Sequence, residues 1–78
     1  MRSTTRVNRK IHAREVRVIG QRQEDLGVMT LPRALDLARL FGVDLIEIGP
    51  RSTPPICRLV DYAKYRYEQV RQSKRGQA

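Results

Sequence analysis

The sequence holds one cysteine, one histidine and no tryptophan, and each scarcity removes a class of function. Cys57 cannot close an internal disulfide, and with no second cysteine or partnering histidine it cannot anchor a metal site. Its alternation with Arg58 reads instead as a buried thiol packing like a small hydrophobe. His12 lies among bases without a nucleophile beside it, so it reads as a solvent-exposed or RNA-contacting side chain, not a general base. The carboxylates Glu24, Asp25, Asp36, Asp44, Glu47 and Asp61 share no spacing that would pair them for acid–base work. Gly20, Gly27, Gly42 and Gly49 fall at the ends of predicted elements and do not form a phosphate loop. These residues predict no enzyme, no cofactor and no metal.

Long apolar runs are missing too. No stretch reaches the roughly 18 residues that a membrane helix needs. The opening MRSTTRVNRK has no apolar segment behind its arginines, so no secretory signal is expected, and the reading is a monomer in the reducing cytoplasm. At 78 residues there is one small domain and little room for a catalytic cleft with its own supporting shell.

What the chain has in excess is positive charge, and the charge is segregated. Sixteen Lys and Arg against eight Asp and Glu give +8. Residues 1–18 carry Arg2, Arg6, Arg9, Lys10, Arg14 and Arg17 against Glu15, a net +5. Residues 64–78 carry Lys64, Arg66, Arg71, Lys74 and Arg75 against Glu68, a net +4, and the middle is left at −1. A near-neutral body with cationic ends suits a polyanion, through release of its condensed counterions, better than a generic solvated surface does.

Hydrophobic periodicity gives an α+β order. Residues 1–13 have no period and read as a flexible basic arm. Glu15 to Ile19 alternates as a half-buried strand, Gln21 to Asp25 is a polar turn, and Leu26 to Thr30 is a second strand. Thr30-Leu31-Pro32 starts a helix of about three turns, with Leu31, Leu35, Ala38 and Phe41 as its apolar stripe and Gly42 as its stop. Val43 to Ile48 is rich in branched residues and reads as a third, central strand. Gly49 to Pro55 is a stiffened loop, Ile56 to Val60 a fourth strand, and Asp61 caps a last helix. The expected fold is a four-stranded mixed sheet with one helix packed on it, in the order β-β-α-β-β-α. The right-handed crossover rule makes the two strands flanking the first helix neighbours or near-neighbours if they run parallel. The core spans 14–61, and 62–78 form a basic linker helix.

Two constellations carry binding chemistry. The loop Arg51 to Arg58 is one. The other is the stretch 61–67, where Tyr62, Tyr65 and Tyr67 interleave with Lys64 and Arg66. Aromatic rings among cations stack on bases or riboses while the charges hold phosphates, although at least one tyrosine is expected to pack on the sheet. The candidate RNA-contacting residues are Arg9, Lys10, Arg14, Arg51, Tyr62, Lys64, Tyr65, Arg66, Arg71, Lys74 and Arg75. Arg9, Lys10, Arg14, Lys64 and Arg66 form one patch, with Arg51 at its rim, if the arm and the last helix converge on one edge.

The chain also resembles a known family. Val7-Asn8-x-x-Ile11, Ala13 to Ile19, Leu26-Gly27-Val28, Ala34-Leu35 and Asp44 to Ile48 are similar to the start of bacterial translation initiation factor three. The most specific match is Pro54-Pro55-Ile56-Cys57-Arg58 followed by Asp61-Tyr62-x-Lys64-Tyr65, and the likeness covers roughly 7–68 without a gap. Ala63 stands where the family usually has glycine, and Arg51-Ser52-Thr53 replaces a usual Asn-Ala. The resemblance implies a grasp-like or ubiquitin-like α+β domain joined by its linker helix to a C-terminal domain outside this chain. It implies binding to the platform of the small ribosomal subunit, through rRNA and platform proteins, near initiator tRNA. It also implies support for start-site fidelity and for keeping the subunits apart. The alternative that composition alone allows is a stand-alone basic RNA-binding protein or nucleic-acid chaperone.

Overall fold

Two short connections fix the order of the strands. A computed structural model describes residues 5–77, with side chains described for 5–70. Its elements are a 3-10 turn at Asn8–Lys10, β1 (Glu15–Ile19), β2 (Asp25–Thr30), α1 (Leu31–Phe41), β3 (Asp44–Gly49), β4 (Ile56–Val60) and α2 (Tyr62–Gln77). Residues 20–24 turn β1 back into β2: the Gly20 N–H donates to the Glu24 carbonyl at 2.8 Å, and the Gln23 N–H, from a residue at φ 66°, donates to the Gly20 carbonyl at 2.9 Å. Residues 50–55 return β3 into β4. Each outer strand is thereby held antiparallel to its own sequence neighbour, and β1 and β4 meet in the middle as a parallel pair, in the order β2-β1-β4-β3.

The result is the expected mixed α+β sheet, with two corrections to its arrangement. The strands that flank α1 are not near-neighbours; β2 and β3 lie on opposite edges, because both inner places are taken by the strands they return to. For the same reason β3 is an edge strand and not a central one. Its apolar character has another cause, described below.

The helix start and stop are as the residues predict. The Thr30 Oγ1 accepts from the Arg33 N–H at 3.4 Å, Pro32 sits in the first turn, and Gly42 turns left-handed at φ 69°. The stripe that α1 buries is shifted, however. Ala34 and Ala38 are its buried residues, flanked by partly buried Leu31, Leu35 and Leu37, whereas Phe41 is 49% exposed. The two alanines bring the helix backbone close to Val16, Val18, Leu45, Cys57 and Leu59, which share one face of the sheet. Phe41, in the last position before the cap, is left at the rim beside Leu26.

A further correction concerns the aperiodic start of the chain. Residues 7–11 are not a free arm. Val7 bridges antiparallel to Ile46, and the Glu47 N–H donates to the Arg6 carbonyl at 3.0 Å, so this segment lies along the outer edge of β3. Ile11 follows into the core at 2% exposure, a burial contributing about 1.5–3 kcal/mol. An edge strand presents unpaired backbone groups that must be satisfied, and this segment satisfies those of β3. Leu45 is buried in the core beneath α1 and Ile46 is buried where Val7 bridges it, which is why an edge strand reads as a central one.

The seam is closed by Asn8, a non-glycine residue at φ 55°. Its Oδ1 accepts from the Leu45 N–H at 2.9 Å and its Nδ2 donates to Asp44 Oδ1 at 3.1 Å. Asparagine tolerates the left-handed region, where alanine costs about 1–2 kcal/mol. Asn8→Ala is therefore expected to lower the unfolding free energy by about 2–4 kcal/mol, the backbone cost added to that of the orphaned Leu45 N–H. Asn8→Gly should recover about 1 kcal/mol of that loss, the backbone share, in the same denaturant titration.

Cys57 is fully buried, as expected of a packing thiol. Burial, and secondarily the Glu47 charge, push its pKa from 9.0 up to about 12. The folded state thus holds the proton that the unfolded thiol releases. Its stabilising share is intact below pH 9 and is lost as pH rises toward 12. Between pH 9 and 11 the unfolding free energy of the native chain should fall by about 1 kcal/mol per pH unit more than that of Cys57→Ala.

Candidate nucleic-acid interface

The start of α2 is fixed by two carboxylates from different elements. Asp61 Oδ1 accepts from the Ala63 and Lys64 N–H groups at 2.9 and 3.2 Å, the cap that its position in the sequence predicts. Asp44 Oδ2 accepts from the Tyr62 N–H at 2.9 Å, while its other oxygen holds Asn8. One side chain on β3 therefore joins the N-terminal segment to the first turn of α2. Negative charge at a helix N-terminus is favourable, and here it also sets where the helix begins.

With that start fixed, the aromatic and cationic positions separate by exposure. Tyr62 and Tyr65 are half-buried, while Lys64 and Arg66 are exposed. The Arg66 guanidinium lies 5.9 Å from the centroid of the Tyr62 ring, a cation–π contact on the helix surface. Tyr62, Tyr65 and Arg66 line one hollow with Thr5, Gln69 and Val70. On the other side of Tyr65 a smaller hollow is shared with Arg6, Glu47, Ile48 and Pro50. The tyrosines thus have one side on the body and one toward solvent. This is the geometry of rings that can stack without first being ordered.

The ends of the chain do converge, since β1 and β4 are neighbours, but not as one patch. The N-terminal segment reaches α2 through Thr5 and Arg6, and the 3-10 turn sends Arg9 and Lys10 the other way, toward α1. Arg14 lies at a third place, in a hollow with Thr53, Pro54 and Pro55. Arg51 is exposed in the loop at 50–55. The side chains of Arg71, Lys74 and Arg75 lie outside the described residues. The tyrosine–cation cluster was visible in the sequence. Arg6 was missed as a neighbour of the site, since nothing in its local spacing marks which distant element it meets.

Charge pairing divides the cations in the same way. Arg6 meets Glu47 at 3.6 Å, Arg17 meets Asp25 at 2.8 Å, Arg39 meets Asp36 at 3.4 Å, and Arg58 meets Glu68 at 4.0 Å. Among the described residues, Arg9, Lys10, Arg14, Arg51, Lys64 and Arg66 are exposed and enter no ion pair. Also among the described residues, no group of three His, Cys, Asp or Glu side chains could hold a metal ion, and no helix is long and apolar enough to cross a membrane.

Comparison with known proteins places this geometry in a family. The family model described as "Translation initiation factor IF-3, N-terminal domain" matches residues 7–76. Proteins named translation initiation factor IF-3 are similar to this chain over most of its length. The one from Fusobacterium nucleatum is 51% identical over 70 residues, covering 90% of this chain and 37% of that protein. One from Myxococcus xanthus is 51% identical over 75 residues, covering 92% of this chain and 30% of that protein. One from Chlamydia trachomatis is 46% identical over 69 residues, covering 88% and 39%. The chain spans about a third of the length of these relatives. By both measures it belongs to the translation initiation factor IF-3 family, as an N-terminal domain of that family.

Proposed function

We propose that this domain serves translation initiation by binding the small ribosomal subunit, with rRNA as its main ligand and with platform proteins and initiator tRNA close by. It acts as a cytoplasmic monomer, as one part of a factor that supports start-site fidelity and keeps the subunits from joining early. The contact surface is the start of α2: Tyr62 and Tyr65 as stacking faces, Lys64 and Arg66 on phosphates. Arg14, from its separate hollow beside Pro54 and Pro55, and Arg51, Arg71, Lys74 and Arg75 are proposed as further RNA contacts. The observation that supports this reading most is the division of charge. Several cations of the body are neutralised by carboxylates, whereas Lys64 and Arg66 stand exposed beside two half-buried rings.

The test is binding to purified small subunits across a salt series. Lys64→Ala with Arg66→Ala should weaken binding by about 1–3 kcal/mol and flatten the slope of log affinity against log salt by about two. Thermal stability should fall by no more than about 1 kcal/mol, mostly through the lost contact with Tyr62. Arg22→Ala with Arg33→Ala removes equal charge from elsewhere on the body. Equal weakening by that pair would make net charge responsible and the α2 surface wrong. Equal affinity for the subunit and for a tRNA or duplex of matched phosphate content would favour a general RNA binder instead.

A further inference from the structure

The cations that the 3-10 turn directs away from α2 border a feature of their own. Arg9 and Lys10 on one side and Arg39 on the other frame a cleft of about 490 Å³ between the N-terminal segment and α1. Its floor is aliphatic, made by Val7, Leu35, Ala38 and Val43. Val7, Leu35 and Val43 are only half-buried, so the floor is apolar surface left uncovered in a domain with little to spare. Asn8 is also at its edge, but both ends of its amide are already engaged with Leu45 and Asp44. The cleft therefore offers aliphatic contact and cations, and few other polar groups.

We propose that this cleft is a protein-docking site, distinct from the α2 surface, which takes an acidic amphipathic segment of a partner protein. Three features favour a peptide over RNA. First, no aromatic ring lines the cleft, so it has no stacking face for a base, whereas aliphatic side chains such as leucine fit its floor. Second, Asp36 already occupies Arg39 at 3.4 Å, which leaves the rim (Arg9, Lys10 and Arg39 less Asp36) at a net +2. That suits one or two carboxylates beside an apolar anchor better than a dense row of phosphates. Third, the walls are held in place: the Asn8 hydrogen bonds, the Val7–Ile46 bridge and the Gly42 cap fix both sides before a partner arrives. Rigid walls reduce the ordering cost of binding. The stems of Arg9, Lys10 and Arg39 add further apolar surface to the rim.

The test uses the 78-residue chain and four labelled probes. The first is a synthetic twelve-residue peptide with leucines at helical spacing and glutamates elsewhere. The others are an all-glutamate peptide of equal charge, the leucine peptide with lysine for glutamate, and hexauridylate RNA. The leucine–glutamate peptide should bind saturably and shift the methyl resonances of Val7, Leu35 and Val43. Lys10→Ala with Arg39→Ala should weaken it about tenfold, and Lys64→Ala with Arg66→Ala should leave it unchanged. If the all-glutamate peptide or hexauridylate shifts the same methyls as strongly, the cleft is a general polyanion site and the proposal is wrong. If no probe moves these methyls, or if the lysine peptide binds as well as the glutamate one, it is wrong as well. None of these outcomes bears on the α2 surface, which is read separately by subunit binding of the Lys64 and Arg66 variant.

Discussion

The outer edge of β3 is the constraint on which the rest of this domain depends. A strand at the edge of a four-stranded sheet leaves a row of N–H and C=O groups unpaired, and in so small a protein there is little else to cover them. The chain uses its own first described residues. Arg6 and Val7 supply backbone pairing to β3, and Asn8 supplies an amide that answers both the Leu45 N–H and the Asp44 carboxylate. Asp44, held on one oxygen, presents the other to the Tyr62 N–H. The junction therefore orders the N-terminal segment, seals the sheet and starts α2 in a single network of hydrogen bonds.

That network also explains the distribution of charge. A segment laid along β3 has two sides. Arg6 turns to Glu47 and toward Tyr65, so its charge is compensated within the body. Arg9 and Lys10, on a turn that reverses direction, project toward α1 and find no carboxylate of their own. Among the described residues the positive charge is thus divided by geometry into compensated charges and exposed ones, with separate exposed groups at α2, at the α1 cleft and around Arg14.

Most of the fold was legible because its local rules agree with its global ones. The Thr30 and Asp61 caps, the Gly42 stop and the alternation of β1 and β4 are each written within a few residues. What could not be read locally was decided by distant pairing. Residues 7–11 carry no period because Val7, Asn8 and Ile11 meet the body around a tight turn, at no regular spacing. Their role depends on a strand more than thirty residues away. Burial of Leu45 and Ile46 was correctly signalled by composition, yet it was assigned to the middle of the sheet, since composition reports burial and not its source. The shift of the α1 stripe from Phe41 to Ala34 has the same origin: periodicity gives a face, and the floor beneath it fixes how far that face extends. At the candidate interface, Tyr62, Lys64, Tyr65 and Arg66 were legible as one cluster. The separation of Arg9 and Lys10 from them was not, because it follows from the path of the segment along β3.

A consequence is that the two surfaces are linked without touching. The α2 cluster needs the Asp44–Tyr62 bond to set where the helix begins, and the α1 cleft needs Asn8 to hold its outer wall. Both bonds converge on Asp44. Loss of the Asp44 carboxylate would therefore take a partner from the Asn8 amide and from the Tyr62 N–H together, so the two surfaces share one support and not a common ligand.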